Sequence, residues 1–299
     1  MISPPSPVTE PRSLAPGDRW RQAWLVVLAA TVVLFTVVAV GRPFGTASGP
    51  PGNAAAAASP SALIPAPAPS AIPTTPLGVP APASPTPTPA SPFPAEGVLK
   101  LPGDVPVKGS GDFAFANERG PIAGTGGTVR RFKVAVEKGS GEDVTAFAAQ
   151  VRAILSDERS WVGSGRVRMQ MVAGADPADF TVYLATRETA GRMCERGGTG
   201  IRINGVPFTS CRAVGKAIIN LDRWRMSARP YLEARADLAV YRQYVINHEV
   251  GHELGHRHEG CPKAGGPAPV MVQQTLTLRG CVPFSWPRHH GRDLSGPRL

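Results

Sequence analysis

The stretch HEVGHELGHRH, residues 248–258, constrains this chain more than any other part of it. It holds four of the six histidines and contains two overlapping copies of the pattern H-E-x-x-H. Two histidines at i and i+4 on a helix project from one face, one turn apart, so both imidazoles can reach one metal ion. The stretch therefore predicts a helix that carries a metal site.

The first copy extends into the longer pattern H-E-x-x-H-x-x-G-x-x-H. In this register His248 and His252 bind the ion, Gly255 ends the helix in a left-handed turn, and His258 returns as a third ligand. Glu249 lies at the edge of the ligand face, near the ion but not bound to it, and is the candidate general base. Three imidazoles leave one zinc position open, as catalytic sites require.

The second copy would place His252 and His256 on the ion with Glu253 between them. Its third histidine would fall at Pro262, so the second register cannot be completed in the same way. The first register is therefore favoured. His256 and Glu253 are then expected to be surface residues on the last helical turn.

The eleven residues resemble the active-site helix of the metzincin zinc endopeptidases, which place a methionine in a tight turn beneath the metal. Met271, in APVMVQQT, is the Met-turn residue that this resemblance implies. Some metzincins carry a tyrosine two residues later, where Gln273 stands here, so a switching tyrosine ligand is not expected. A wider stretch, about residues 103–290, resembles an uncharacterised family of exported actinobacterial proteins that are presumed peptidases.

The resemblance implies a zincin-like (metzincin) α+β fold with a twisted mixed sheet and an active-site helix. It also implies a Zn²⁺-dependent endopeptidase that hydrolyses peptide bonds outside the cell. The alternative is a membrane-anchored, metal-binding but non-catalytic recognition domain for cell-wall polymer or protein. The presence of Glu249 favours the enzyme. An extended substrate is expected to pair with an edge strand, supplied by KAIINLDRW (216–224) or DFTVYLAT (179–186).

The pattern of apolar residues independently predicts an α+β domain. Alternation predicts strands in residues 131–138, 166–174, 179–186 and 216–224. Apolar residues at helical spacing predict helices over 142–161 and 236–255, the second of which carries the histidines.

Residues 23–41 form an apolar run without charge, which is long enough to span a bilayer. Arg12, Arg19 and Arg21 precede the run and only Arg42 follows closely, which places residues 1–22 in the cytoplasm. The prediction is a single-pass protein of the cell membrane whose C-terminal part is extracytoplasmic. A cleaved signal peptide and a secreted protein are the alternative.

Residues 42–95 are rich in Pro, Ala, Ser and Thr, and contain about half of the 33 prolines of the chain. This composition predicts a disordered linker or stalk, followed by an extracytoplasmic metallopeptidase-like domain over residues 96–299. Disulfides persist outside the cell, so the two local cysteine pairs predict the bonds Cys194–Cys211 and Cys261–Cys281; buried free thiols are the alternative.

The formal net charge is +10, but Arg and Lys are scattered without a long basic run. Nucleic-acid binding is therefore not expected. The expected partners are a peptide or protein substrate, the membrane through the N-terminal helix, and the cell wall, and the expected state is a monomer.

Overall fold

The computed structural model describes residues 91–299. The predicted cytoplasmic tail, the transmembrane helix and most of the predicted linker lie outside this range. Among the described residues, no helix combines the length and hydropathy that a membrane span requires.

The described residues contain strands of two to ten residues. In chain order they are β1 (Phe113–Phe115), β2 (Thr128–Glu137), β3 (Val167–Met171), β4 (Phe180–Ala185), β5 (Arg202–Ile203), β6 (Val206–Pro207), β7 (Cys211–Ala213), β8 (Lys216–Asn220), β9 (Arg288–His289) and β10 (Arg292–Asp293).

The helices follow or separate these strands along the chain. They are α1 (Val144–Ser156), α2 (Arg187–Arg196), α3 (Leu221–Met226), α4 (Arg229–Glu233) and α5 (Leu238–Glu253), with a short 3₁₀ helix at Trp161–Ser164.

Six strands form one mixed sheet in the order β1-β2-β4-β8-β7, with β3 also paired to β2. The strands β2, β3, β4 and β8 run parallel, whereas β1 and β7 are antiparallel to their neighbours. The pairs β5–β6 and β9–β10 are separate antiparallel ribbons. The prediction of an α+β domain with a mixed sheet is confirmed.

The core lies between one face of this sheet and helices α1 and α5, which also pack against each other. Successive residues of a strand point to opposite faces, and β8 follows this rule. Ala217 and Ile219 join the main core, and Ile218 joins a smaller cluster under α2 on the other face. Helix α5 is buried on nearly all sides, so the histidines are carried on a helix embedded in the domain.

One predicted strand is shorter than expected. Residues 216–224 were expected to be a single strand, but β8 ends at Asn220 and α3 begins at Leu221. The Asn220 side chain accepts a hydrogen bond from Asp222 N at 3.0 Å, which caps the new helix. Local capping chemistry therefore overrides the apolar pattern of this segment.

Two disulfides form as predicted. Cys194 at the end of α2 is bonded to Cys211 at the start of β7, and Cys261 is bonded to Cys281. The described residues include no free cysteine.

Removing the second disulfide should destabilise the domain. The Cys261–Cys281 bond closes a loop with a sequence separation of 20. Opening such a loop gives the unfolded chain more conformational entropy, which lowers its free energy by roughly 3 kcal/mol. We expect the double variant Cys261→Ala/Cys281→Ala to lose about that much in urea unfolding. A free energy of unfolding equal to that of the wild type would contradict this prediction.

Candidate metal centre

The end of α5 is shaped by Gly255. This residue has φ +94°, a left-handed conformation that glycine adopts without steric cost. Its N–H donates to His252 O at 3.1 Å, and the His256 N–H donates to Gly251 O at 3.0 Å. These two bonds form a Schellman turn, which reverses the chain after the last helical turn. The turn brings His258 back beside the helix.

Three imidazoles meet at this turn. The potential ligand nitrogens of His248, His252 and His258 all lie within 4.8 Å of one another. His252 Nε2 and His258 Nε2 are 3.1 Å apart. Two nitrogens bound at ~2.0–2.1 Å to one tetrahedral ion lie ~3.3 Å apart, so this spacing matches that of two ligands of a shared ion.

Backbone carbonyls orient two of the three rings. His248 Nδ1 lies 2.8 Å from Val270 O, and His252 Nδ1 lies 2.8 Å from His256 O. A carbonyl oxygen only accepts hydrogen bonds, so each Nδ1 carries the proton and each Nε2 keeps its lone pair for a metal.

The imidazoles are also in the protonation state that binds metals. Burial, together with the nearby His252, lowers the pKa of His248 to about 3. Burial is likewise the main cause of the lowered pKa values of His252 and His258. All three rings are therefore neutral at pH 7, the form in which histidine coordinates a metal. The cluster could bind a metal ion.

Met271 lies against α5 at Gly251, which stands between His248 and His252 in the sequence. Its side chain is buried, with 2% exposure. A Cβ atom added to Gly251 would lie 2.6 Å from Met271 Sδ and 2.7 Å from Trp161 Cζ2. The glycine within the motif thus permits close packing of Met271 and Trp161 against the helix.

Substituting Gly251 should therefore disturb the site. We expect Gly251→Ala to reduce the free energy of unfolding by about 1–3 kcal/mol through overpacking and to weaken metal binding. Urea unfolding and metal titration would measure the two effects. Gly200→Ala is the control, because a Cβ added there meets no atom within 4 Å. Equal stability of the two variants would contradict the packing argument.

Glu249 follows the first ligand and borders the same cavity. Its side chain is buried, and across residues 91–299 no group donates a hydrogen bond to its carboxylate. Burial raises the pKa of Glu249 to about 8. A cation held by the adjacent histidines would favour the ionised form.

The cavity beside the cluster has a volume of about 510 Å³. The histidines and Glu249 form one wall, and residues 199–201 and 209–212 contribute to the other. Strand β7 lies in this second wall, and within residues 91–299 it pairs with β8 alone. The expectation that β4 or β8 provides the substrate-binding edge is wrong, because both are interior strands of the sheet. The edge strand at the cavity is β7.

Glu253 is not the surface residue that was expected. Its side chain is only 4% exposed and pairs with Arg212 Nε at 2.7 Å. It also accepts hydrogen bonds from Gly215 N at 3.3 Å and Lys216 N at 3.2 Å. Glu253 therefore ties the end of α5 to the β7–β8 hairpin.

His256 also differs from expectation. Its ring stacks on Trp161 with the centroids 4.3 Å apart, and burial lowers its pKa. It is not a member of the three-histidine cluster found among the described residues. The imidazole of His256, which would bind the ion in the second register, therefore packs against Trp161.

Sequence reasoning missed a cluster of tyrosines that fixes the segment after Met271. Tyr231 donates to Gln274 Oε1 at 2.8 Å, and Tyr244 donates to Val272 O at 3.1 Å. The Tyr244 ring lies 5.3 Å from that of His248. Their i, i+4 spacing on α5 was the available sequence signal, because such residues share a helix face.

The fold and the site together define an α+β protein with a mixed sheet and a three-histidine cluster that could bind a metal. The family described as "Protein of unknown function (DUF3152)" matches residues 100–283, more than half of the chain, and the chain belongs to this family. The matched range contains the three histidines, Glu249 and both disulfides. Comparisons with curated proteins and with solved structures found no match.

Proposed function

We propose that this protein is a zinc-dependent endopeptidase of the metzincin type. The observation that carries the proposal is the convergence of His248, His252 and His258 within 4.8 Å, beside a cavity that Glu249 also borders. Three neutral imidazoles suit zinc, and three protein ligands are typical of catalytic rather than structural zinc sites. Met271, packed against α5 at Gly251, is in keeping with a Met-turn.

When bound, zinc supplies Lewis acidity, which polarises a carbonyl group and acidifies water. Glu249 acts as the general base and accepts a proton from the water that attacks the peptide carbonyl carbon. As the C–N bond breaks, Glu249 gives this proton to the leaving nitrogen. The position of Glu249 supports this role. Glu249 borders the cavity and receives no hydrogen bond from residues 91–299, so its carboxylate is free to exchange a proton with a water there.

The substrate is proposed to bind as an extended peptide along β7. The outer edge of this strand pairs with no other strand in the described part of the chain. Arg212 O accepts a hydrogen bond from Thr199 Oγ1 at 3.4 Å, and the proposed peptide pairs with the remaining backbone groups of this edge. The cavity, at about 510 Å³, then accommodates side chains next to the cleaved bond.

The proposed place of action is outside the cell, with the domain held at the membrane by residues 23–41 or released after cleavage of a signal peptide. The two disulfides support this assignment, because such bonds persist in oxidising compartments. The proposed partners remain a peptide or protein substrate, the membrane and the cell wall.

Turnover of a peptide library would test the function. The full-length chain, loaded with zinc, should cleave a subset of the peptides at internal bonds. A chelator should stop cleavage, and added zinc should restore it. Zinc binding by the three histidines without cleavage of any peptide would instead favour the non-catalytic recognition domain.

A further inference from the structure

The cavity beside the metal centre has basic surroundings. Arg212 and Arg257 border it. Outside α5, the residues that line the cavity include no Asp or Glu. The acidic side chains that line the cavity are Glu249 and Glu253.

Glu253 positions Arg212 without using all of its donors. The carboxylate accepts from Arg212 Nε, and it also accepts from two backbone N–H groups of the β7–β8 hairpin. A guanidinium has further donors on its two terminal nitrogens. Those of Arg212 form no hydrogen bond with any group in residues 91–299, and the side chain remains 35% exposed. Arg212 is thus held at the cavity with its terminal N–H groups available.

Arg257 adds a charge that forms no ion pair with any residue in 91–299. Its side chain is exposed. Arg257 borders the cavity beside His258. The rim therefore carries cationic groups whose complement is an anionic ligand.

We propose that this cleft selects peptides that carry Asp or Glu side chains next to the cleaved bond, with Arg212 as the main specificity-determining residue. This inference rests on the proposed peptidase function and adds a substrate class to it. The planar guanidinium of Arg212, fixed through Nε, offers its terminal N–H groups to a carboxylate. Arg257 attracts the same anionic peptides to the rim.

Matched peptide libraries would test the preference. The two libraries are identical except that one fixes Glu and the other Gln at each position in turn. The zinc-loaded full-length chain should cleave the Glu peptides with a kcat/KM roughly tenfold higher when Glu is adjacent to the cleaved bond. Equal values for Glu and Gln at every position would overturn the proposal.

Variants then locate the preference. Arg212→Gln should bring the Glu-to-Gln ratio of kcat/KM close to one. Arg257→Gln, at an exposed position that does not endanger folding, should reduce it by a smaller factor. Arg229→Gln is the matched control, because it removes the same charge from an exposed pair with Glu233 on α4. A ratio that falls equally in the control would show only an effect of net charge and would overturn the proposal.

A binding measurement separates this inference from the peptidase function. Fluorescence anisotropy with zinc-loaded Glu249→Gln should give about tenfold tighter binding of a labelled Glu peptide than of its Gln counterpart. The added substitution Arg212→Gln should remove this difference. If Glu peptides bind more tightly but the wild type cleaves none of them, the peptidase function is excluded and the acidic-peptide site is supported. Equal binding of the two peptides would overturn the site, whatever the activity.

Discussion

The Glu249→Gln variant is expected to lose peptide hydrolysis while it retains the metal. Glutamine has nearly the same shape as glutamate but cannot accept and return a proton at neutral pH, and general acid–base catalysis contributes roughly 10²- to 10⁴-fold in rate. Glu249 receives no hydrogen bond from the described residues, so the substitution leaves no structural donor without a partner. We therefore expect kcat to fall by about this factor at unchanged stability.

Three measurements on the same samples would check this result: kcat on a cleaved peptide, bound zinc, and the free energy of unfolding. Glu233→Gln is the control, since Glu233 is exposed on α4. It should match the wild type in all three measurements. Wild-type turnover by fully zinc-loaded Glu249→Gln would rule out Glu249 as the general base.

His258→Ala should weaken zinc binding and His256→Ala should not, although the two residues are separated only by Arg257. His258 lies in the three-histidine cluster, with its Nε2 3.1 Å from that of His252. Loss of this ligand should weaken zinc affinity by at least the roughly 100-fold known for changes to a ligand's hydrogen-bonding partner. His256 stacks on Trp161 instead, so its removal should cost about 1 kcal/mol of stability and leave zinc bound.

Competition with a chromogenic chelator would measure both affinities, and urea unfolding would measure both stabilities. The comparison decides between the two registers of the motif. If His256→Ala weakened zinc binding more than His258→Ala did, the second register would hold the ion and His258 would not be a ligand.

Much of the three-histidine cluster could be predicted from sequence because its geometry is local. The i, i+4 spacing of His248 and His252 fixes their relation on a helix. Gly255 supplies a turn that backbone sterics assign to glycine, and this turn decides where His258 goes. The two disulfides were predictable for a similar reason, since each joins cysteines close in the chain. Such features depend on few contacts from elsewhere in the fold.

Features that depend on distant contacts could not be predicted in this way. The edge strand β7 has only three residues, too few for an alternating pattern to identify. Glu253 lies on the last turn of α5, which the sequence predicts to be at the surface. It is buried because Arg212, far away in the chain, folds beside it. The tyrosines that hold the segment after Met271 show a helical spacing, but their acceptors, including Gln274, are found only in the folded structure.

The two walls of the cleft have separate covalent anchors. Cys194–Cys211 fastens β7 to α2, and Cys261–Cys281 closes the loop that contains Met271. A substitution in β7 can thus alter which ligands the cleft accepts, while the opposite wall keeps the three imidazoles in place. Under the proposed function, substrate preference is therefore set by a segment that is separate from the three histidines.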